Sequence, residues 1–321
     1  MSMKNRIQEG IYQQTSRFRL INVFFRHGEL RSLWGILLFA AIYMSLQTAV
    51  ASPLEHIFGA WNGRSHLITP GNHLTREVIQ SAVLLISTVL MARVEGRRIA
   101  AYNFGDNSGW IHLCWGLVAG FAALSILVGI LWSLHLLMFD GVGLHGTSVI
   151  KFALAWAVSL IVGCFWEIAL LRGYLQFTLT RGIGFWFAAL TLSLLFSLLI
   201  GTHRAGFLYI GNAFVFEMVL FLSLWYTGSL WWAVGFNTAW DWAETYFFGT
   251  SNSGLVSEGH LLSTHLTGSI LWSGGKIGPE GGLFIPPLMI LTSILMWLCW
   301  RRVERSTKAQ TLAFAKQDSA N

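Results

Sequence analysis

Residues 110–139 read WIHLCWGLVAGFAALSILVGILWSLHLLMF, without a single Asp, Glu, Lys or Arg. About 20 consecutive apolar residues suffice for a helix to cross the hydrocarbon core of a bilayer. A helix that is apolar all round belongs either in lipid or in the deep core of a large protein. Composition decides between the two. Of the 321 residues 54% are hydrophobic and 11% charged, whereas a soluble domain is about a quarter charged. A water-soluble fold of this length has no interior large enough for that much apolar surface, and lipid supplies one.

Seven further apolar stretches flank this one, at 34–51, 78–94, 149–175, 184–200, 207–226, 230–248 and 283–300. The expected fold is therefore all-α, a polytopic membrane helix bundle of about eight transmembrane helices. Its organisation is read as a basic N-terminal segment over 1–33, one multi-span membrane domain over 34–303, and a polar tail over 304–321. Within 1–33, Ile7, Ile11, Phe18, Leu20, Val23 and Phe24 alternate loosely with basic residues, so the segment is either an interfacial helix or a basic tail. Because this mixed segment precedes the first span, no signal peptide is expected. Residues 251–282, rich in Gly and Ser, form an outer loop.

The charges orient the bundle. With both termini inside, the cytoplasmic segments carry Lys4, Arg6, Arg17, Arg19, Arg26, Arg31, Arg93, Arg97, Arg98, Arg172 and Arg181. The C-terminal group of Arg301, Arg302, Arg305, Lys308 and Lys316 joins them. The opposite side keeps Arg64, Arg76, Lys151, Arg204 and Lys276. The positive-inside rule selects this orientation and an even number of crossings, placing the protein in the cell membrane with cytoplasmic termini. The net charge of +6 then reads as contact with anionic lipid rather than nucleic acid, because the basic clusters abut apolar spans. Cys114, Cys164 and Cys299 lie inside apolar runs and are expected to be free thiols, without zinc-ligand spacing.

Ionisable residues inside spans are costly and are the first candidates for chemistry. Glu167 lies in the fourth span, Glu217 in the sixth, Asp241 and Glu244 in the seventh. Asn237 and Asp241 are four apart and share a helix face. A carboxylate on the fourth span opposite an acid and an amide on the seventh could hold water or a divalent cation, and suits general acid or base work. The bland alternative is that these groups are neutral, mutually hydrogen-bonded glue between helices. Oxygen ligands of this kind suit hard cations, and no histidine pair with zinc spacing lies within a span. No cofactor is expected beyond that open question of a cation at Glu167 and Asp241.

At these residues the sequence resembles the CAAX protease and bacteriocin-processing family of intramembrane proteases, in a bacterial branch. The first family motif, Glu-Glu-x-x-x-Arg followed by Gly-Tyr-Leu, is met by Glu167 through Leu175, with Ile168 in place of the second Glu. The second, Phe-x-x-x-His, is met by Phe196 with Ile200 in place of His. The later His-x-x-x-Asn/Asp is met by Asp241, with Asn237 in place of His. The resemblance is densest over 160–285 and gives a family-like core at about 149–249. It implies a bundle of about eight helices with a conical cavity open to the cytoplasm. It also implies a glutamate that, helped by the histidine, activates water against a peptide carbonyl, and an Asn or Asp that steadies the oxyanion.

Carried over by position, Glu167 and Asp241 are the catalytic candidates, Asn237 a weaker third, and His203 a candidate substitute for the missing histidine. Arg172 and Glu244 are substrate-binding or structural candidates, and Arg172 is expected to snorkel to the interface. Isoleucine carries no lone pair, so the expected activity is a peptide hydrolysis that is weak or lost. The competing expectation is a non-catalytic protein that keeps the fold to bind a peptide or another membrane protein. The expected partners are membrane lipids and a membrane-associated peptide or protein.

Overall fold

The structure, a computed structural model, describes residues 25–26, 29–59, 67–105, 108–204 and 207–318, with side chains for 31–59, 68–105, 108–200 and 207–302. Most of the expected interfacial segment, 1–24 with 27–28, lies outside the described residues, as does the side chain of His203.

Two short strands, β1 (Phe25–Arg26) and β2 (Glu29–Leu30), pair just ahead of the first helix. Helix α1 (Ser32–Leu46) runs through a π turn (Gln47–Ala51) into α2 (Ser52–Ile57). After β3 (Leu67–Ile68), α3 (Pro70–Val94) begins at Thr69, whose side chain accepts from the Asn72 N–H at 3.2 Å. Pro70 at the first helical position has no N–H to leave unsatisfied, so the two together fix this start. Next come α4 (Gly109–Ser133), β4 (Leu137–Val142) and α5 (Thr147–Leu170). At Leu171–Leu175 the helix loosens into a π turn, with Gly173 leaving helical geometry (φ −81, ψ −117), and continues as α6 (Gln176–Ile183). The bundle goes on with α7 (Phe185–Arg204), α8 (Phe207–Thr227) and α9 (Trp231–Trp242). Strands β5 (Val256–Ser257) and β6 (Leu262–Leu266) and the short α10 (Ile270–Ser273) precede the last helix, α11 (Ile285–Asp318).

Five of these stretches are long and apolar enough to cross a bilayer, namely Ser32–Ile57, Pro70–Val94, Gly109–Ser133, Thr147–Ile183 and Phe207–Thr227. The apolar part of α7, Phe185–Ile200, is shorter. These five described helices are the candidate crossings by length and composition, in keeping with an all-α polytopic membrane bundle. The seventh apolar stretch, α9 with the π turn that follows it at Ala243–Phe247, is not among them. The last helix, whose apolar stretch is expected to end near 300, carries its backbone on to Asp318.

Two strand pairs gather connecting segments at one end of the bundle. β3 pairs parallel with β5, and β4 pairs antiparallel with β6 with a register shift between Phe139 and Gly141. The segments after α2, α4 and α9 therefore meet. The expected outer loop carries these strands, and His265 on β6 pairs with Asp140 at 2.8 Å.

The opposite end is tied by a buried carboxylate. Glu95 accepts from the hydroxyls of Tyr174 at 2.8 Å and Tyr102 at 3.2 Å, and lies 3.6 Å from both Arg97 and Arg181. Burial and this carboxylate push the Tyr102 phenol well above its ordinary value. Nearby, Asn103 donates from its side chain to the Arg172 carbonyl at 2.7 Å and accepts at its own carbonyl from the Leu230 N–H at 3.2 Å.

Helix α9 is the axis. Ala233, Val234, Phe236 and Trp240 are buried among Leu124, Leu127 and Leu131 of α4. The two backbones touch because Gly116 and Gly120 of α4 face Trp232 and Phe236, while Gly235 of α9 faces Leu113. A Cβ at any of the three would overlap a facing backbone carbonyl oxygen. This small-residue seam is the device by which helices approach in lipid, where no hydrophobic force distinguishes protein from solvent. Gly120→Val should therefore lower the unfolding midpoint in detergent by an amount typical of overpacking, about 1–3 kcal/mol or more. Gly129→Val, on the same helix with open space around it, should leave it unchanged. Equal shifts for the two would show that the seam does not hold the helices.

Candidate active site

The three motif segments converge on one cavity. Glu167 of α5, Phe196 and Ile200 of α7, Asp241 of α9, and Asn252 and Ser253 of the following loop line both of its lobes. The narrow lobe, about 100 Å³, is completed by Tyr209, Asn212 and Glu217 of α8, Asn237 of α9, and Glu280. That is room for about three waters at roughly 30 Å³ each. The wide lobe, about 580 Å³, extends between α3 and α5 past His73, Arg76, Glu77, Trp156 and Cys164. It is of the size that takes a small ligand or a stretch of chain.

Helix spacing explains the convergence. Asn237 and Asp241 face the cavity together, as their four-residue separation requires. Cys164 and Glu167, three apart on α5, do the same, and the Cys164 thiol donates to Asp241 Oδ2 at 3.3 Å. Glu244 is not on that face. It begins the π turn, is fully buried, and lines neither lobe. A π turn inserts a residue into the ladder and rotates the side chains beyond it, so the spacing rule ends at Trp242.

Two replaced motif positions fall differently. Ile200 lines both lobes, so an aliphatic side chain stands in the cavity where the motif has histidine. Ile168 faces away, fully buried in the apolar core with Leu220 and Phe236. His203 belongs to α7 by its backbone, and its side chain lies outside the described residues.

Arg172 does not snorkel. Its side chain is fully buried, its NH2 donates to Glu217 Oε2 at 2.6 Å and to the Glu217 carbonyl at 2.9 Å, and its guanidinium lies 4.1 Å from the Phe221 ring centre. The interface was the expected place because Arg172 sits near the end of an apolar run. A carboxylate on a helix 45 residues away holds it inside instead. One edge of the cavity thus carries a neutralised pair, and Glu167 and Asp241 are left as the acids on its shared wall.

Residues that the motifs do not single out complete the walls. Tyr209 donates to Ser253 at 2.8 Å, Ser253 donates to Glu280 Oε1 at 2.6 Å, and Asn212 donates to the carbonyls of Glu280 and Gly282, both at 2.9 Å. On α3, His73 Nδ1 is 2.7 Å from Ser159 Oγ, and Glu77 lies 3.8 Å from His73 Nε2 and 3.6 Å from Arg76. Gly163 makes room for them, since a Cβ there would come within 3.1 Å of both His73 and Glu77. The signal was present as His73-x-x-x-Glu77, one face of one helix turn. Among the described residues, no three His, Cys, Asp or Glu side chains stand close enough to hold a metal ion.

An apolar helix bundle wrapped around a buried acidic cavity defines a polytopic membrane protein with a site inside the membrane domain. Residues 147–243, which contain Glu167, Arg172, Asn237 and Asp241, match the family model described as type II CAAX prenyl endopeptidase Rce1-like. Over this segment the chain is similar to that family of CAAX-protease-type membrane proteins. No curated protein matches the chain.

Proposed function

We propose that the chain is an intramembrane peptide hydrolase that crosses the membrane eight times with both termini in the cytoplasm. Its water-activating group is Glu167. The observation that carries the reading is that Glu167, Asp241, Asn237 and Asn252 share one small polar lobe although they come from three separate elements. Glu167 takes a proton from a water in that lobe, and the water oxygen bonds to the carbonyl carbon of a peptide lying in the wide lobe. The carbonyl oxygen, now an oxyanion, accepts from the side-chain amides of Asn237 and Asn252, which are the donors at hand. Glu167 then returns its proton to the amine nitrogen as the C–N bond breaks. Asp241, steadied by Cys164, orders the water between the two acids.

Proteolysis is expected to be slow, because a missing general acid or base typically lowers the rate by about 10² to 10⁴-fold. The purified protein in lipid nanodiscs, incubated with a library of membrane-anchored peptides, tests the reading. Cleavage in the wild type that falls by about 10² or more in Glu167→Ala supports it. Cleavage that survives this change excludes Glu167 as the base. The aliphatic Ile200 in the cavity favours one other reading, a protein that binds a membrane-associated peptide without cutting it. Peptide retention without any cleavage, unchanged in Glu167→Ala, would support that instead.

A further inference from the structure

The cavity has a direction. On α3 its lining residues are His73, Arg76 and Glu77, in the first third of a helix that runs from Pro70 to Val94. On α7 they are Phe196, Leu199 and Ile200, near the far end of Phe185–Arg204. On α8 they begin with Tyr209 and Asn212 and go no further than Glu217. The remaining walls are Ile68 and Ser257 from the β3–β5 pair and Leu255 just before it, with Ser253 and Glu280 beside them. These elements therefore contribute from the end where the segments after α2, α4 and α9 are laced together, while α5 lines the cavity from Trp156 down to Glu167.

The other end is closed. Beneath Glu167 lie the buried Arg172–Glu217 pair, Asn103 bonded to the Arg172 carbonyl, and Glu95 with Tyr102 and Tyr174. Arg172 is paired with Glu217, and Glu95 with its two tyrosines, Arg97 and Arg181, so opening a path through either cluster would strand buried charges.

Among the residues described with side chains, Arg31, Arg93, Arg97, Arg98, Arg172, Arg181, Arg301 and Arg302 lie in segments on the closed side of the bundle or next to it, against Arg76, Lys151 and Lys276 elsewhere. That bias places the closed end in the cytoplasm. We infer that the cavity opens on the non-cytoplasmic face, between α3 and the β3–β5 pair, so that its ligand is a polypeptide segment presented from the outer side of the membrane. This is opposite to the cytoplasmic cavity that the family resemblance implies. The inference rests on the proposed reading only for the ligand being a peptide. The direction of opening stands or falls by itself.

Thiol labelling separates the two. In a background with Cys114, Cys164 and Cys299 replaced by Ala, single cysteines are placed at Ile200 inside the cavity, at Leu255 on its rim, and at Arg301, exposed where α11 leaves the membrane. Intact cells are treated with a small membrane-impermeant methanethiosulfonate, then permeabilised and treated again. Ile200→Cys and Leu255→Cys should react in intact cells, and Arg301→Cys only after permeabilisation. Occupation by the peptides of the nanodisc assay should reduce labelling at Ile200 more than at Leu255. The inference is overturned if Ile200→Cys reacts from the same side as Arg301→Cys. It is equally overturned if Ile200→Cys reacts only in detergent while Leu255→Cys reacts in cells. Should Ile200→Cys fail to accumulate, Ser253→Cys lines the same two lobes and is read in the same way. None of these outcomes depends on whether the protein cuts peptides.

Discussion

Arg172→Met should destabilise the folded protein by about 3–5 kcal/mol, the largest stability effect expected from any single change in this bundle. The reason is what it leaves behind rather than what it removes. Glu217 would remain buried with no cation beside it. In the wild type its carboxylate is held at 2.6 Å, and the guanidinium is covered on its other side by Phe221. Removing both partners takes away the stranded charge, so Arg172→Met/Glu217→Gln should recover most of the loss. The measurement is the unfolding midpoint of the wild type, both single variants and the double variant in one detergent. If the double variant is as unstable as the sum of the two singles, the pair is not coupled and Arg172 acts through packing alone. Arg172→Lys separates charge from shape. A lysine keeps the charge but loses the planar fork that reaches the carboxylate and the Glu217 carbonyl together, so it should fall between the wild type and Met.

Ile200→His should raise peptide cleavage by about 10²-fold or more, the range that one positioned acid–base group supplies. Ile200 lines both lobes beside Glu167 and Asp241, so an imidazole there reaches the water-holding space without any movement of the backbone. The gain should carry its own signature, a new limb in the pH–rate profile near the ordinary imidazole range of about 6.5. Ile200→Leu, which changes shape without adding a proton carrier, should leave the rate where it was. Ile200→His/Glu167→Ala should be inactive. A folded Ile200→His that binds the same peptides and cuts them no faster would show that the histidine position is not what limits this site.

The two predictions differ in how far the sequence led towards them. The class of protein was legible from length alone, because thirty uncharged residues at 110–139 leave few places for a helix to lie. The convergence of Glu167, Asn237 and Asp241 was legible from helical periodicity and from motif order. Periodicity failed where the helix did. Glu244, only three residues beyond Asp241, falls in the π turn at Ala243–Phe247 and is buried without lining the cavity. The partner of Arg172 was not legible. A side chain near the end of an apolar run has the same local sequence whether it reaches up to the headgroups or inward to a carboxylate, and only the packing of α8 decides. The walls supplied by Tyr209, Asn212, Ser253 and Glu280 come from residues ordinary in any loop or helix end, and hydrogen bonds spanning 27 to 70 positions give them their place. The seam of Gly116, Gly120 and Gly235 was visible as spaced glycines, but its partner helix was not.

That seam also sets what can move. With Gly116, Gly120 and Gly235 bringing the backbones of α4 and α9 into contact, the helix bearing Asn237 and Asp241 has no side-chain layer on which to slide or rotate. On the other flank, α3 meets α5 through His73, Glu77 and Gly163, with the wide lobe between them. The bundle then works as a vice with one fixed jaw and one adjustable jaw. Admission of ligands of different girth would be tuned on α3, where substitutions alter selectivity, while α9 serves as the datum from which every reacting distance is measured.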